Sequence, residues 1–264
     1  MSTDSTHETR TKHGIHRNGW GLLALTLTGL LGACHPDGGA AEEPKQCDAS
    51  TVRCTEQSIS ELNLLDVVST GEIREEGTVS GEFLTYVDAR AGGPDPTQSY
   101  TYARFTPQGL NRVSVNDQAA LASTDWEIGF RRYVIRVNSG ISGPSCTAVA
   151  QTPAGTSFDS VKAVNASWEF HTESYFDNEC RFIADESGLP KAPASQLATF
   201  WTYPQTCLAM TGNVFVVRLA DGRHVKLQVM SYYDPTPQQA CNDTGKVTTP
   251  SGSGQIRVRW AFLP

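Results

Sequence analysis

Val214-Phe215-Val216-Val217-Arg218-Leu219-Ala220-Asp221-Gly222-Arg223-His224-Val225-Lys226-Leu227-Gln228-Val229 is the stretch whose reading decides the fold class. Two runs rich in β-branched residues flank Asp221-Gly222, and Asp-Gly readily takes the positive φ angles of a type I′ hairpin turn. A two-residue turn predicts that Arg218 faces Val225, Val216 faces Leu227 and Val214 faces Val229, which gives one apolar face. On the opposite face Leu219 meets His224, Val217 meets Lys226 and Phe215 meets Gln228, a mixed surface expected to be only partly covered.

Outward from this hairpin the same short-strand texture continues. Strands are predicted over residues 81–90, 99–105, 126–138, 166–173, 213–220, 223–233 and 255–263, with brief helical turns at 117–123 and 195–200. Long helix-period stretches are scarce and turn residues recur at short intervals. The expected fold is therefore all-β: a single antiparallel β domain of many short strands with few short helices.

The first segment reads as a leader rather than as structure. Arg10, Lys12 and Arg17 precede an uncharged, Leu-rich run from Trp20 to Leu31. A spanning helix needs roughly 20 apolar residues, and this run is shorter, as in the core of a signal peptide. It ends in Leu31-Gly32-Ala33-Cys34, which resembles the lipobox of bacterial lipoproteins: a branched residue, two small residues and the cysteine that is acylated. Acyl chains such as palmitate bury about 0.8 kcal/mol per CH₂, and two chains anchor stably where one does not. Residues 1–33 are then a lipoprotein signal peptide and Cys34 the lipid attachment site. Residues 34–46, rich in Pro, Gly and Glu, form a flexible tether, and 47–264 form the folded domain. His35 follows the cysteine where the inner-membrane retention signal has Asp, so the expected location is the cell envelope, at the outer membrane.

An exported chain keeps its cysteines oxidised. Beyond Cys34 there are six, Cys47, Cys54, Cys146, Cys180, Cys207 and Cys241, which implies three disulfides. Spacing does not choose among the possible connectivities, although Cys47 with Cys54 is the easiest local closure. The whole chain carries a net charge of −7, and removing the leader makes it slightly more acidic, so nucleic acid is excluded as a partner.

Three segments in order carry a family resemblance: Trp126-Glu127-Ile128-Gly129-Phe130-Arg131-Arg132-Tyr133 leading to Gly140-Ile141-Ser142-Gly143-Pro144, the Ala220-Asp221-Gly222 hairpin with Tyr232-Tyr233, and the closing Ile256-Arg257-Val258-Arg259-Trp260. Together they resemble the HmuY-like family, haem-binding surface lipoproteins of all-β fold. The resemblance implies haem as cofactor, a haemoprotein as its source and an outer-membrane receptor as a further partner. The best-known member binds haem through two His side chains, and others use Met. The first of those positions falls on Arg131, which stays protonated and cannot ligate iron but has a planar fork suited to a haem propionate. For the second, the nearest candidate is His171, the expected metal ligand, with Met210, Met230 and His224 as further possibilities.

Two readings compete with haem capture. The same scaffold can bind a non-haem ligand or a protein partner. Catalysis has little to stand on: Gly140-Ile141-Ser142-Gly143 lacks the spacing of a nucleophile elbow, Asp185 and Glu186 are adjacent, and the domain's only histidines are His171 and His224.

Overall fold

The computed structural model describes residues 47–264. The expected signal peptide, the expected lipid attachment site Cys34 and the expected tether lie outside the described residues. Twelve strands follow one another: β1 (Ile73–Val79), β2 (Glu82–Asp88), β3 (Thr101–Thr106), β4 (Gly109–Val113), β5 (Ile128–Arg131), β6 (Val134–Val137), β7 (Ala148–Gln151), β8 (Trp201–Thr202), β9 (Ala209–Met210), β10 (Val214–Arg218), β11 (His224–Ser231) and β12 (Gln255–Leu263). Three short α-helices accompany them: α1 (Thr55–Glu61), α2 (Asp117–Ala120) and α3 (Pro235–Thr244). A six-stranded sheet has the order β1-β2-β12-β11-β10-β7, and a four-stranded sheet the order β4-β3-β5-β6; their pairings are antiparallel throughout. The fold is all-β.

The central hairpin forms, but one residue out of the expected register. Arg218 pairs with His224, Val217 with Val225, Val216 with Lys226 and Phe215 with Leu227. Of the turn residues only Gly222 takes a positive φ, at 84°, and its N–H donates to the Leu219 carbonyl at 3.0 Å while Leu219 N–H donates to Arg223 O at 2.8 Å. This is a three-residue loop closed by a glycine bulge, in place of a type I′ turn whose two central residues would both be left-handed. The slip swaps the faces of β10: Phe215, Val217 and Leu219 enter the main core with Val225 and Leu227. Val214 and Val216 lie on the other side, which is also covered, by Phe158 and Val161. Lys226, expected on a half-covered face, is buried there; its Nζ donates to Phe158 O at 3.2 Å and sits 4.1 Å from the centre of the Phe158 ring.

The two sheets meet around Trp260 of β12. Its indole stacks on Phe83 with centroids 4.3 Å apart, meets Phe105 edge-on at 5.0 Å and donates to Thr85 Oγ1 at 2.8 Å. Each such fully buried large side chain contributes roughly 1.5–3 kcal/mol. A second core, of Leu62, Leu64, Tyr100, Tyr102, Trp126 and Tyr175, packs on the outer face of the smaller sheet.

Three further expectations are corrected. The stretch 126–138 is two strands, because Arg132, with φ 52°, turns the chain between β5 and β6. Residues 166–173 form no strand and pair with the sheet's backbone only where His171 bridges Val149. Cys47 bonds to Cys146 rather than to Cys54, which pairs with Cys180, and Cys207 pairs with Cys241. All six cysteines are thus used, and two of the bonds tie the segment before β1 to the body of the domain. Among the described residues no helix is long and apolar enough to cross a membrane.

Candidate binding cleft at the β5–β6 turn

Arg131 is the last residue of β5, and the elements around it build a cleft of about 390 Å³. The β5–β6 turn contributes Arg131, Arg132, Tyr133 and Val134 to its lining. Leu62 and Asn63, just beyond α1, the segment Pro94-Asp95-Pro96 and the pair Pro190-Lys191 also line it.

Arg131 does not project freely into this space. Asp117, the first residue of α2, is fully buried, and four donors converge on its carboxylate: Leu65 N–H (3.0 Å), Tyr100 N–H (2.8 Å), the Tyr102 hydroxyl (2.8 Å) and Arg131 Nη1 (3.0 Å). Asn116 caps the helix by accepting from Ala119 N–H at 2.8 Å, which holds Asp117 in place. Arg131 also donates to the carbonyls of Asn63, at 3.0 Å, and Leu62. Its guanidinium lies 4.2 Å from the centre of the Tyr100 ring, and that of Arg136 lies 4.4 Å from the same centre. A buried guanidinium so paired and stacked joins the walls of the cleft; its fork is directed into the protein rather than toward a ligand.

Arg132 and Tyr133, both half-buried, line the cleft as well. The Arg132 N–H donates to Ala89 O at 2.7 Å, which fixes the turn in its left-handed conformation. A bulky residue there costs on the order of 1 kcal/mol or more and persists only where the surroundings hold it. The Tyr133 hydroxyl donates to Pro190 O at 2.7 Å, and Trp201 Nε1 donates to Tyr133 O at 3.1 Å. Those two bonds seat the wall that carries Lys191, itself left-handed at φ 56°. Among the described residues neither Arg132 nor Lys191 has a carboxylate within salt-bridge distance, and the acid on the rim, Asp95, is exposed.

The other sequence-selected residues lie elsewhere. His171 exchanges both backbone bonds with Val149 at the β7 edge; its imidazole is 60% exposed and 3.8 Å from Glu169. His224 is half-buried on β11 with its ring 5.5 Å from that of Phe170, and burial together with the Arg218 charge pushes its imidazole below the usual range. Met210 on β9 packs against the main core, and Met230 on β11 is exposed. None of the four lines the cleft at Arg131. Nor does the cleft hold any other His, Met or Cys, and its tyrosine hydroxyl is already committed to Pro190. The donor set therefore does not fit axial ligation of a haem iron there. Among the described residues no cluster of three or more His, Cys, Asp or Glu could hold a metal ion.

Sequence reasoning did not single out Asp117, Arg132 or Lys191. Asp117 opens the helical turn predicted over 117–123, yet nothing in sequence says that its carboxylate reaches Arg131. Arg132-Tyr133 has no glycine, asparagine or proline to announce a turn.

A family model described as HmuY protein matches residues 96–246, more than half of the chain. Among solved structures, a provisionally assigned HmuY-like haem-binding protein of Bacteroides vulgatus is similar at 15% identity with a TM-score of 0.44, over 72% of this chain and 97% of that one. A provisionally assigned lipoprotein of Bacteroides fragilis is similar at 13% identity, TM-score 0.44, over 71% and 92%. An apo HmuY analog of Tannerella forsythia is similar at 15% identity, TM-score 0.39, over 73% and 97%. No curated protein matches the chain.

Proposed function

The chain belongs to the HmuY family, and from that premise we propose that it is a lipid-anchored capture protein, not an enzyme, that takes haem or a related ligand in the cleft at the β5–β6 turn. The observation that carries this reading is the coincidence of two independent assignments. The family resemblance puts a ligand-contacting position on Arg131, and Arg131 lines a cleft together with Arg132 and Lys191. A pre-formed concave site with few, convergent polar groups is what small-ligand binding uses.

In this reading residues 1–33 direct export, acylated Cys34 holds the protein at the outer membrane, and residues 34–46 give the domain reach. Haem would come from a haemoprotein and pass to an outer-membrane receptor. Three disulfides suit a domain that works outside the cell. Haemin titration of the purified protein tests the proposal: saturable one-to-one binding with a change in the Soret band supports it, and weak, unsaturable association removes haem as the ligand.

A further inference from the structure

We infer that the cleft recognises its ligand by carboxylates, through Arg132 and Lys191, and without a bond to a metal. The inference rests on the capture reading above and names the chemical class of ligand. Arg131, Arg132 and Lys191 bring three positive charges to the cleft. The first is neutralised by Asp117 at 3.0 Å. The other two have no carboxylate partner among the described residues, and one exposed acid, Asp95, shares the rim with them. Cations at a concave, partly desolvated surface attract anions, and a guanidinium offers a carboxylate two parallel donors.

Backbone conformation points the same way. Arg132 and Lys191 both sit at positive φ, 52° and 56°, where a long side chain is strained. Their two segments are joined by the Tyr133–Pro190 hydrogen bond of 2.7 Å. Both residues line the same cleft, and strained positions of this kind persist only where the rest of the fold holds them. Pro94, Pro96, Pro190 and the Tyr133 ring supply apolar surface between the charges. A flat, largely apolar molecule bearing carboxylates matches this lining. The absence of His, Met and Cys from the lining means that iron in such a molecule would be a passenger.

The test compares haemin, metal-free protoporphyrin IX and the uncharged dimethyl ester of protoporphyrin by tryptophan quenching. The wild-type protein should bind the first two with affinities within about threefold of each other, and the ester at least about tenfold more weakly. Arg132→Gln and Lys191→Gln should each weaken protoporphyrin binding about tenfold, the effect of losing one charge-assisted hydrogen bond. Lys246→Gln, at an exposed cation outside the cleft, should change nothing. Tight haemin binding with protoporphyrin more than tenfold weaker would overturn the inference and leave the capture reading standing. Equal binding of the ester would overturn it as well, and so would charge variants that bind like wild type. Failure of all three probes to bind would remove both the inference and the haem-type reading.

Discussion

Arg131 donates to Asp117 across 3.0 Å, with the arginine side chain 8% exposed and the aspartate completely buried. The position that the resemblance gives to an iron ligand is thereby occupied by half of an internal ion pair. That pair binds three segments distant in sequence: the residues after α1, the start of α2 and the end of β5. The cleft exists because those segments are held together, so the pair shapes the site from behind its surface.

Removing one partner should therefore be costly. Asp117→Ala leaves Arg131 buried without its counter-charge and strips an acceptor from Leu65, Tyr100 and Tyr102, so we expect a loss of about 3–5 kcal/mol. The double variant Asp117→Asn with Arg131→Met should regain part of that loss, because no uncompensated charge remains. Urea unfolding of the three proteins measures both; equal stability of wild type and Asp117→Ala would refute the assignment.

Glu173 gives a pH dependence of defined sign. Its carboxyl is fully buried, and that burial pushes its pKa up to about 7, against hydrogen bonds from Val137 N–H and Gln196 N–H, each 3.0 Å, that favour the ionised form. The folded value lies above the ordinary 4.5, so the folded state keeps a proton that the unfolded chain releases. The resulting stability is fully present below about pH 4.5 and is lost as pH rises through about 7. Relative to Glu173→Gln, wild type should lose stability across that window. A constant difference between the two proteins from pH 4.5 to above 7 would contradict this.

The disulfides should differ in weight. Cys54–Cys180 closes a separation of 126 residues and Cys207–Cys241 one of 34. On loop entropy alone, replacing the longer pair by serines should destabilise the domain by about 1 kcal/mol more than replacing the shorter. Intact mass should show six hydrogens fewer before reduction than after, and peptide mapping should recover the pairs Cys47–Cys146, Cys54–Cys180 and Cys207–Cys241.

Anchoring is tested at Cys34. The Cys34→Ser protein should leave the membrane fraction, since acyl chains supply the binding. A wild-type N-terminus free of acyl mass, in a protein that still sediments with membranes, would contradict the lipid anchor.

The strands that alternate strongly were legible from sequence: the hairpin partners β10 and β11, the closing strand β12, and β2 and β3. What failed was local chemistry that announces itself weakly. Asp221-Gly222 signalled a turn correctly, but only Gly222 adopts the left-handed conformation, and that one difference moved the register by a residue. Arg132 turns the chain because Ala89 O fixes its N–H, a long-range cause with no local signal. Helix α3 begins at Pro235, and its Cys241 is held by a disulfide to Cys207, so tertiary context overrides a composition that reads as loop. The cleft was hidden for a related reason. Its walls come from residues near 62, 94, 132 and 190, and no window of sequence contains them together.

The most direct test of the account is a crystal structure of the protein grown with protoporphyrin IX or haemin. We predict the ligand in the cleft at the β5–β6 turn, its ring against Tyr133 and the prolines, and its carboxylates on Arg132 and Lys191. A ligand held instead at the β7 edge, with iron on His171, would contradict the claim that this cleft is the binding site.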